Sequence, residues 1–114
     1  MKIREVVTLL NAKFYGDEKM LENEVEFAFS SDLMSDVLTV KTQNILLLTG
    51  LANIQSLRTA EMSDVVNVIY VRGKKVTEEM KELAEENGIL LIECDYSMFR
   101  ASGILYKAGI KPIY

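Results

Sequence analysis

The side chains able to do chemistry in this sequence are few. Asp32 and Asp36 stand four residues apart, a spacing that sets two carboxylates on one face of a helix where a divalent ion could be held. The plainer reading makes Asp32 a helix cap and Asp36 a solvated surface residue, and makes Glu78, Glu79 and Glu82 the exposed face of a later helix. Arg72 and Lys74 flank Gly73 and could grip a phosphate. The single cysteine, Cys94, ends an apolar run and reads as a buried thiol, and alone it can form neither an internal disulfide nor a structural zinc site. Histidine is absent, which removes the commonest general base near neutral pH and the commonest metal ligand, so no Ser-His or Cys-His pair exists.

Phosphate-loop chemistry is unsupported as well. The nearest match to a Walker A loop is Gly73-Lys74, but Val68 stands where the first glycine belongs and Lys75 where the magnesium-binding hydroxyl belongs. The Gly-x-Gly-x-x-Gly dinucleotide fingerprint does not occur. The expectation is a protein with no catalytic residues, no metal and no cofactor.

The elements that position these residues are easier to read. Ile3, Val6, Val7 and Leu10 recur at helical spacing, giving a first helix to about Ala12, after which Gly16-Asp17-Glu18-Lys19 reads as an exposed connection. Val25, Phe27 and Phe29 alternate with Glu26 and Ala28 as a strand near a sheet edge. Ser30, Ser31 and Asp32 are capping residues for a short helix whose apolar face is Leu33, Met34, Val37 and Leu38. Three apolar runs without alternation follow, Ile45 to Leu48, Val65 to Val71 interrupted only by Asn67, and Ile89 to Ile92, the mark of strands covered on both faces. Asn53 opens a helix carrying Ile54 and Leu57. Thr77 caps another that ends at Gly88, in which Lys81 is spaced to pair with Glu85. A last helix from Asp95 or Tyr96 presents Met98, Phe99, Ser102, Leu105 and Tyr106 before Gly109 and Pro112 stop it, and Gly103 interrupts it at a cost of about 1 kcal/mol. The expected fold is a three-layer α/β domain with a mostly parallel or mixed sheet of about four to five strands flanked by helices.

With 114 residues, 49% of them hydrophobic and 26% charged, residues 1–114 are expected to form a single domain. A net charge of −4 argues against a nucleic-acid partner, and the lack of a long apolar stretch argues against a membrane, so a cytoplasmic location is expected.

Laid end to end, these segments resemble the DRTGG-domain family, which is related to the N-terminal domain of HPr kinase/phosphorylase. The resemblance rests on Ser31-Asp32-Leu33-Met34-Ser35-Asp36-Val37-Leu38, on Leu48-Thr49-Gly50 with Asn53-Ile54-Gln55, on Val71-Arg72-Gly73-Lys74, and on Tyr96-Ser97-Met98-Phe99 ahead of Gly103. Thr49-Gly50 is followed by Leu51-Ala52-Asn53, where many relatives carry an Asp-Arg pair. The resemblance implies a regulatory or assembly role, because such domains accompany nucleotide-sensing CBS domains or acyl-transfer enzymes, tend to form dimers, and as single-domain relatives are often encoded near hydrogenase components.

Two sets of contact residues follow. For a small phosphorylated ligand or nucleotide, the rim beyond the strand ends offers Ser31, Asp32, Thr49, Gly50, Asn53, Gln55, Arg72, Gly73 and Lys74. For a homodimer, or for docking on a larger redox or signalling enzyme, Tyr96, Met98, Phe99 and Tyr106 around Gly103 offer a contact face.

Overall fold

The computed structural model describes residues 1–114. In chain order it contains α1 (Ile3–Leu9), β1 (Lys13–Tyr15), a 3-10 helix (Glu18–Glu22), β2 (Phe27–Ser30), α2 (Met34–Val37) and β3 (Ile45–Thr49). These are followed by α3 (Ile54–Met62), β4 (Asn67–Tyr70), α4 (Glu78–Asn87), β5 (Leu90–Glu93), α5 (Met98–Lys107) and β6 (Lys111–Pro112). The sheet has six strands in the order β1-β5-β4-β3-β2-β6. Only the β1/β5 pair is antiparallel, so the sheet is mixed but mostly parallel.

The continuous apolar runs fold as strands because both faces of the sheet are covered. Alternate residues of each run go to opposite layers: Leu46, Leu48, Ile69, Leu90 and Ile92 pack under α1 and α5, while Ile45, Leu47, Val68, Tyr70 and Leu91 pack under α2, α3 and α4. Helix ends follow the residues meant to set them. Asn53, Thr77 and Ser97 each accept a backbone N–H three residues on, and Gly88 takes the left-handed φ of +66° that closes α4.

Several expectations are corrected. The strand count is six because both edges carry short strands: β1 pairs Phe14 with Ile92, and β6 pairs Lys111 with Phe27. The connection after α1 is structured too, since the Asp17 carboxylate accepts the Lys19 N–H and starts the 3-10 turn. Asp32 is not the cap of α2: the N-cap position is Leu33, without a side-chain bond, and the Ser31 hydroxyl accepts the Leu33 N–H in the turn that leads into it. Only Met34 and Val37 of α2 are buried, and Leu33 and Leu38 stay largely exposed. Lys81 pairs with Glu78 rather than Glu85, its ammonium lying 4.1 Å from the centre of the Tyr15 ring. The last helix starts at Met98, two or three residues later than expected, with Ser97 as its cap.

Candidate functional site

The candidate ligand residues sit on consecutive, adjacent strands, so the parallel sheet delivers most of them to one rim. Ser31 and Asp32 leave β2, Thr49 and Gly50 leave β3, and Arg72, Gly73 and Lys74 leave β4. Backbone bonds beyond the strand ends hold the first loops together: Ser31 N–H donates to Leu48 C=O at 3.0 Å and Val71 N–H to Thr49 C=O at 3.0 Å.

At the centre of this rim one carboxylate oxygen does two jobs. Asp32 Oδ1 accepts the Thr49 hydroxyl at 3.0 Å and the Gly50 N–H at 2.6 Å, while Thr49 Oγ1 accepts the Leu51 N–H at 3.1 Å. A Cβ on Gly50 would stand 3.4 Å from Asp32 Oδ1, at ordinary van der Waals contact with the carboxylate. The Gly50 N–H, which could serve an incoming anion, is therefore already spoken for by Asp32. Asn53 is committed to capping α3, and Gln55, one residue into that helix, is exposed.

Arg72 and Gly73 occupy a tight turn with φ of +60° and +69°, closed by the Lys74 N–H donating to Val71 C=O. The other non-glycine residues of this chain with positive φ are asparagine or aspartate, which tolerate that conformation; Arg72 is the exception. Two bonds hold it there: Arg72 N–H to Tyr96 C=O at 2.7 Å and Gly73 N–H to Cys94 C=O at 3.0 Å. Neither the Arg72 guanidinium nor the Lys74 ammonium has a carboxylate within ion-pair distance.

The layer assignment locates the crevice. The crossovers holding α2, α3 and α4 lie on one face and α5 on the other, so the loops after β4 and β5 diverge. In open α/β sheets that divergence is where ligands enter. The Arg72-Gly73 turn spans this point. Beneath it lies Glu93, 7% exposed, which the sequence reasoning passed over; its one signal is an acid terminating an apolar run. Glu93 accepts the Val76 N–H at 2.8 Å and the Tyr15 hydroxyl at 3.1 Å, with the Lys75 ammonium 3.8 Å away. Its charge thus ties β1, β5 and the loop before α4 together.

Two other buried groups are structural. The Ser56 hydroxyl donates to Asn53 C=O, so the Tyr70 hydroxyl, 2.7 Å away, must donate to Ser56 Oγ. Burial pushes the Tyr70 phenol up to about 12, offset in part by that bond to Ser56. Burial likewise raises the Cys94 thiol, whose sulfur accepts the Tyr96 N–H at 3.4 Å.

The four candidate interface residues divide into two pairs. Tyr96 and Met98 pack against the core, with the Arg100 guanidinium 3.8 Å above the Tyr96 ring. Phe99 is 90% exposed and Tyr106 69%. Gly103 lies between these two on α5 and nothing approaches the position its Cβ would take. Beside them is a groove of about 270 Å3 bounded by Phe29, Ser30, Ser102, Tyr106, Pro112 and Tyr114, in which the Ser30 and Ser102 hydroxyls meet at 2.8 Å.

No family model matches the chain, and no curated protein matches it. Among solved structures it is similar to the CBS and DRTGG domains of the regulatory region of Clostridium perfringens pyrophosphatase, complexed with its activator diadenosine tetraphosphate. The TM-score is 0.77 at 15% sequence identity, covering 96% of this chain and 47% of that one. At that identity the likeness is one of fold. The chain spans about half the length of the structure it matches. No helix is long and apolar enough to cross a membrane.

Proposed function

We propose that residues 1–114 form a single DRTGG-like domain acting as a non-catalytic regulatory module in the cytoplasm, responsive to a phosphorylated ligand of the nucleotide class. The observation that carries this reading is Arg72. Its backbone is held in a left-handed conformation over the point where the β4 and β5 loops diverge, and its guanidinium and the Lys74 ammonium are left without acidic partners. Strained residues persist where the surrounding structure overdetermines them, and they concentrate at ligand clamps and switches. The shared fold with a regulatory region whose activator is a dinucleoside polyphosphate supports the same class of ligand here.

The test is thermal unfolding against adenine and guanine nucleotides, dinucleoside polyphosphates and inorganic phosphate. A ligand at a hundred times its dissociation constant adds about 2.7 kcal/mol, roughly 10 °C for a domain of this size. Arg72→Asn supplies the control, since asparagine tolerates positive φ and the variant should fold while losing the shift. No shift with any compound refutes ligand sensing.

A second reading has its own observation, the exposed aromatics Phe99 and Tyr106 on α5. It makes the chain an association module, a homodimer or a docking unit on a larger redox or signalling enzyme such as a hydrogenase. A dimer that forms without ligand favours it.

A further inference from the structure

We propose that the groove between the end of β2 and α5 is a nucleobase site, which takes the hydrogen-bonding edge of one purine ring against the Ser30 backbone and the paired Ser30 and Ser102 hydroxyls. This site is separate from the Arg72 turn and stands or falls without it, since it uses other residues and takes an uncharged part of a ligand.

The first observation is a bare stretch of sheet edge. Backbone groups of successive residues along a strand face opposite sides. Glu26 C=O accepts the Lys111 N–H at 2.9 Å on the β6 side, whereas the Ser31 N–H donates to Leu48 C=O at 3.0 Å on the β3 side. Ser30, an even number of steps from Glu26, therefore turns its N–H and C=O toward the β6 side. The β2/β6 ladder ends at Ala28 and Pro112, and no backbone bond joins Ser30 to Ile113 or Tyr114. The last two residues leave the edge there, and the opening between them and Ser30 belongs to the groove of about 270 Å3. One donor beside one acceptor on a single residue matches a ring edge that carries an acceptor beside a donor, as the pairing edges of adenine and guanine do.

The second observation is the hydroxyl pair. A serine inside a helix commonly returns its hydroxyl to the carbonyl one turn back. Ser102 of α5 instead meets the Ser30 hydroxyl at 2.8 Å across the groove. One proton is used between the two oxygens, so the pair keeps a second O–H to donate and lone pairs to accept with.

The walls and the charge agree with such a ring. Tyr106 and Tyr114 are 69% and 81% exposed, and the Tyr114 ring is set edge-on against Phe29 with 6.1 Å between centroids. Exposed aromatic faces are stacking surfaces for any base, because every base has a π-face. The one charged residue lining the groove, Lys111, is paired with Glu26 at 3.7 Å, which leaves the site suited to an uncharged group. Its volume falls below the roughly 300–1,000 Å3 of pockets for drug-sized ligands, so it admits a single ring system and leaves a sugar outside.

The test uses the full chain with adenosine and guanosine, which carry the base without a phosphate, in titrations followed by amide NMR. At least one nucleoside should shift the Ser30 and Ser102 signals saturably. N6,N6-dimethyladenosine and 1-methylguanosine lack the donor of the paired edge and should bind about tenfold more weakly than their parents. Tyr106→Ala, at an exposed position that the fold does not need, should weaken binding by about tenfold. Arg72→Asn should leave nucleoside binding unchanged while removing the response to phosphate, so the two sites can fail separately. The site is overturned if neither nucleoside shifts Ser30 and Ser102, if the methylated analogues bind as tightly as their parents, or if Tyr106→Ala is without effect.

Discussion

Replacing Asp32 with alanine tests whether the rim is held by a single carboxylate. Asp32 Oδ1 receives the Thr49 hydroxyl and the Gly50 N–H. Thr49 is fully buried, so its hydroxyl loses its acceptor with no water to replace it, whereas Gly50 and Asp32 are accessible and their side of the bond can be rehydrated. Leaving one buried donor unsatisfied costs about 1–3 kcal/mol. At about 4 °C per kcal/mol for a domain of this length, the midpoint should fall by roughly 4–12 °C. Asp32→Asn retains an acceptor oxygen and should lose less than about 1 kcal/mol. Thr49→Val removes the stranded donor, so the double variant with Asp32→Ala should show a coupling of about 1 kcal/mol or more. Circular dichroism melts and urea titrations of the parent and the four variants supply the numbers. The reasoning is refuted if Asp32→Ala melts within about 2 °C of the parent, or if Asp32→Asn costs as much as Asp32→Ala.

Tyr70 predicts an alkaline weakness. Its pKa is about 12 in the folded chain and about 10 when unfolded, so both states hold the phenolic proton below pH 10. Between pH 10 and 12 only the unfolded chain releases it, and stability falls by roughly 2–3 kcal/mol; urea titrations at stepped pH should show this decline, and Tyr70→Phe should flatten it. Cys94 should react with a thiol reagent only at the rate of unfolding, because the thiol is buried and its pKa is raised; rapid labelling of the native protein would contradict its placement. Gly88→Ala should destabilise by about 1 kcal/mol, since alanine must adopt a φ of +66° although its Cβ has free space; an unchanged melt would show that the turn relaxes.

The sequence makes the interior strands and the best-marked helices legible for physical reasons. Val, Ile and Leu runs such as Ile45 to Leu48 have no polar face to place, and Thr77 with Gly88 brackets α4 through local bonds alone. What it hides depends on partners far along the chain. Strand β1 is three residues long and is a strand only because β5 lies beside it; β6 is two residues long and contains a proline. Asp32 looked like a cap because capping is the commonest local use of an aspartate, but its donors come from β3. Glu93 offered no local signal for its bond to Tyr15, 78 residues away. At α5 the start falls two or three residues later than the sequence suggests, which leaves Tyr96 ahead of the helix and packed with Met98 on the core while Phe99 and Tyr106 face out.

The strand order also bears on how the chain assembles. From β2 to β5 each new strand docks beside its immediate predecessor, so this block can grow stepwise, one crossover at a time. The two edges cannot, because β1 must wait for β5 and β6 must return across a whole face to reach β2. Loop closure therefore falls last and heaviest on the edges. Partial opening should run in the opposite sense, with the margins of the sheet leaving first and the four-strand centre surviving as the most persistent folded unit.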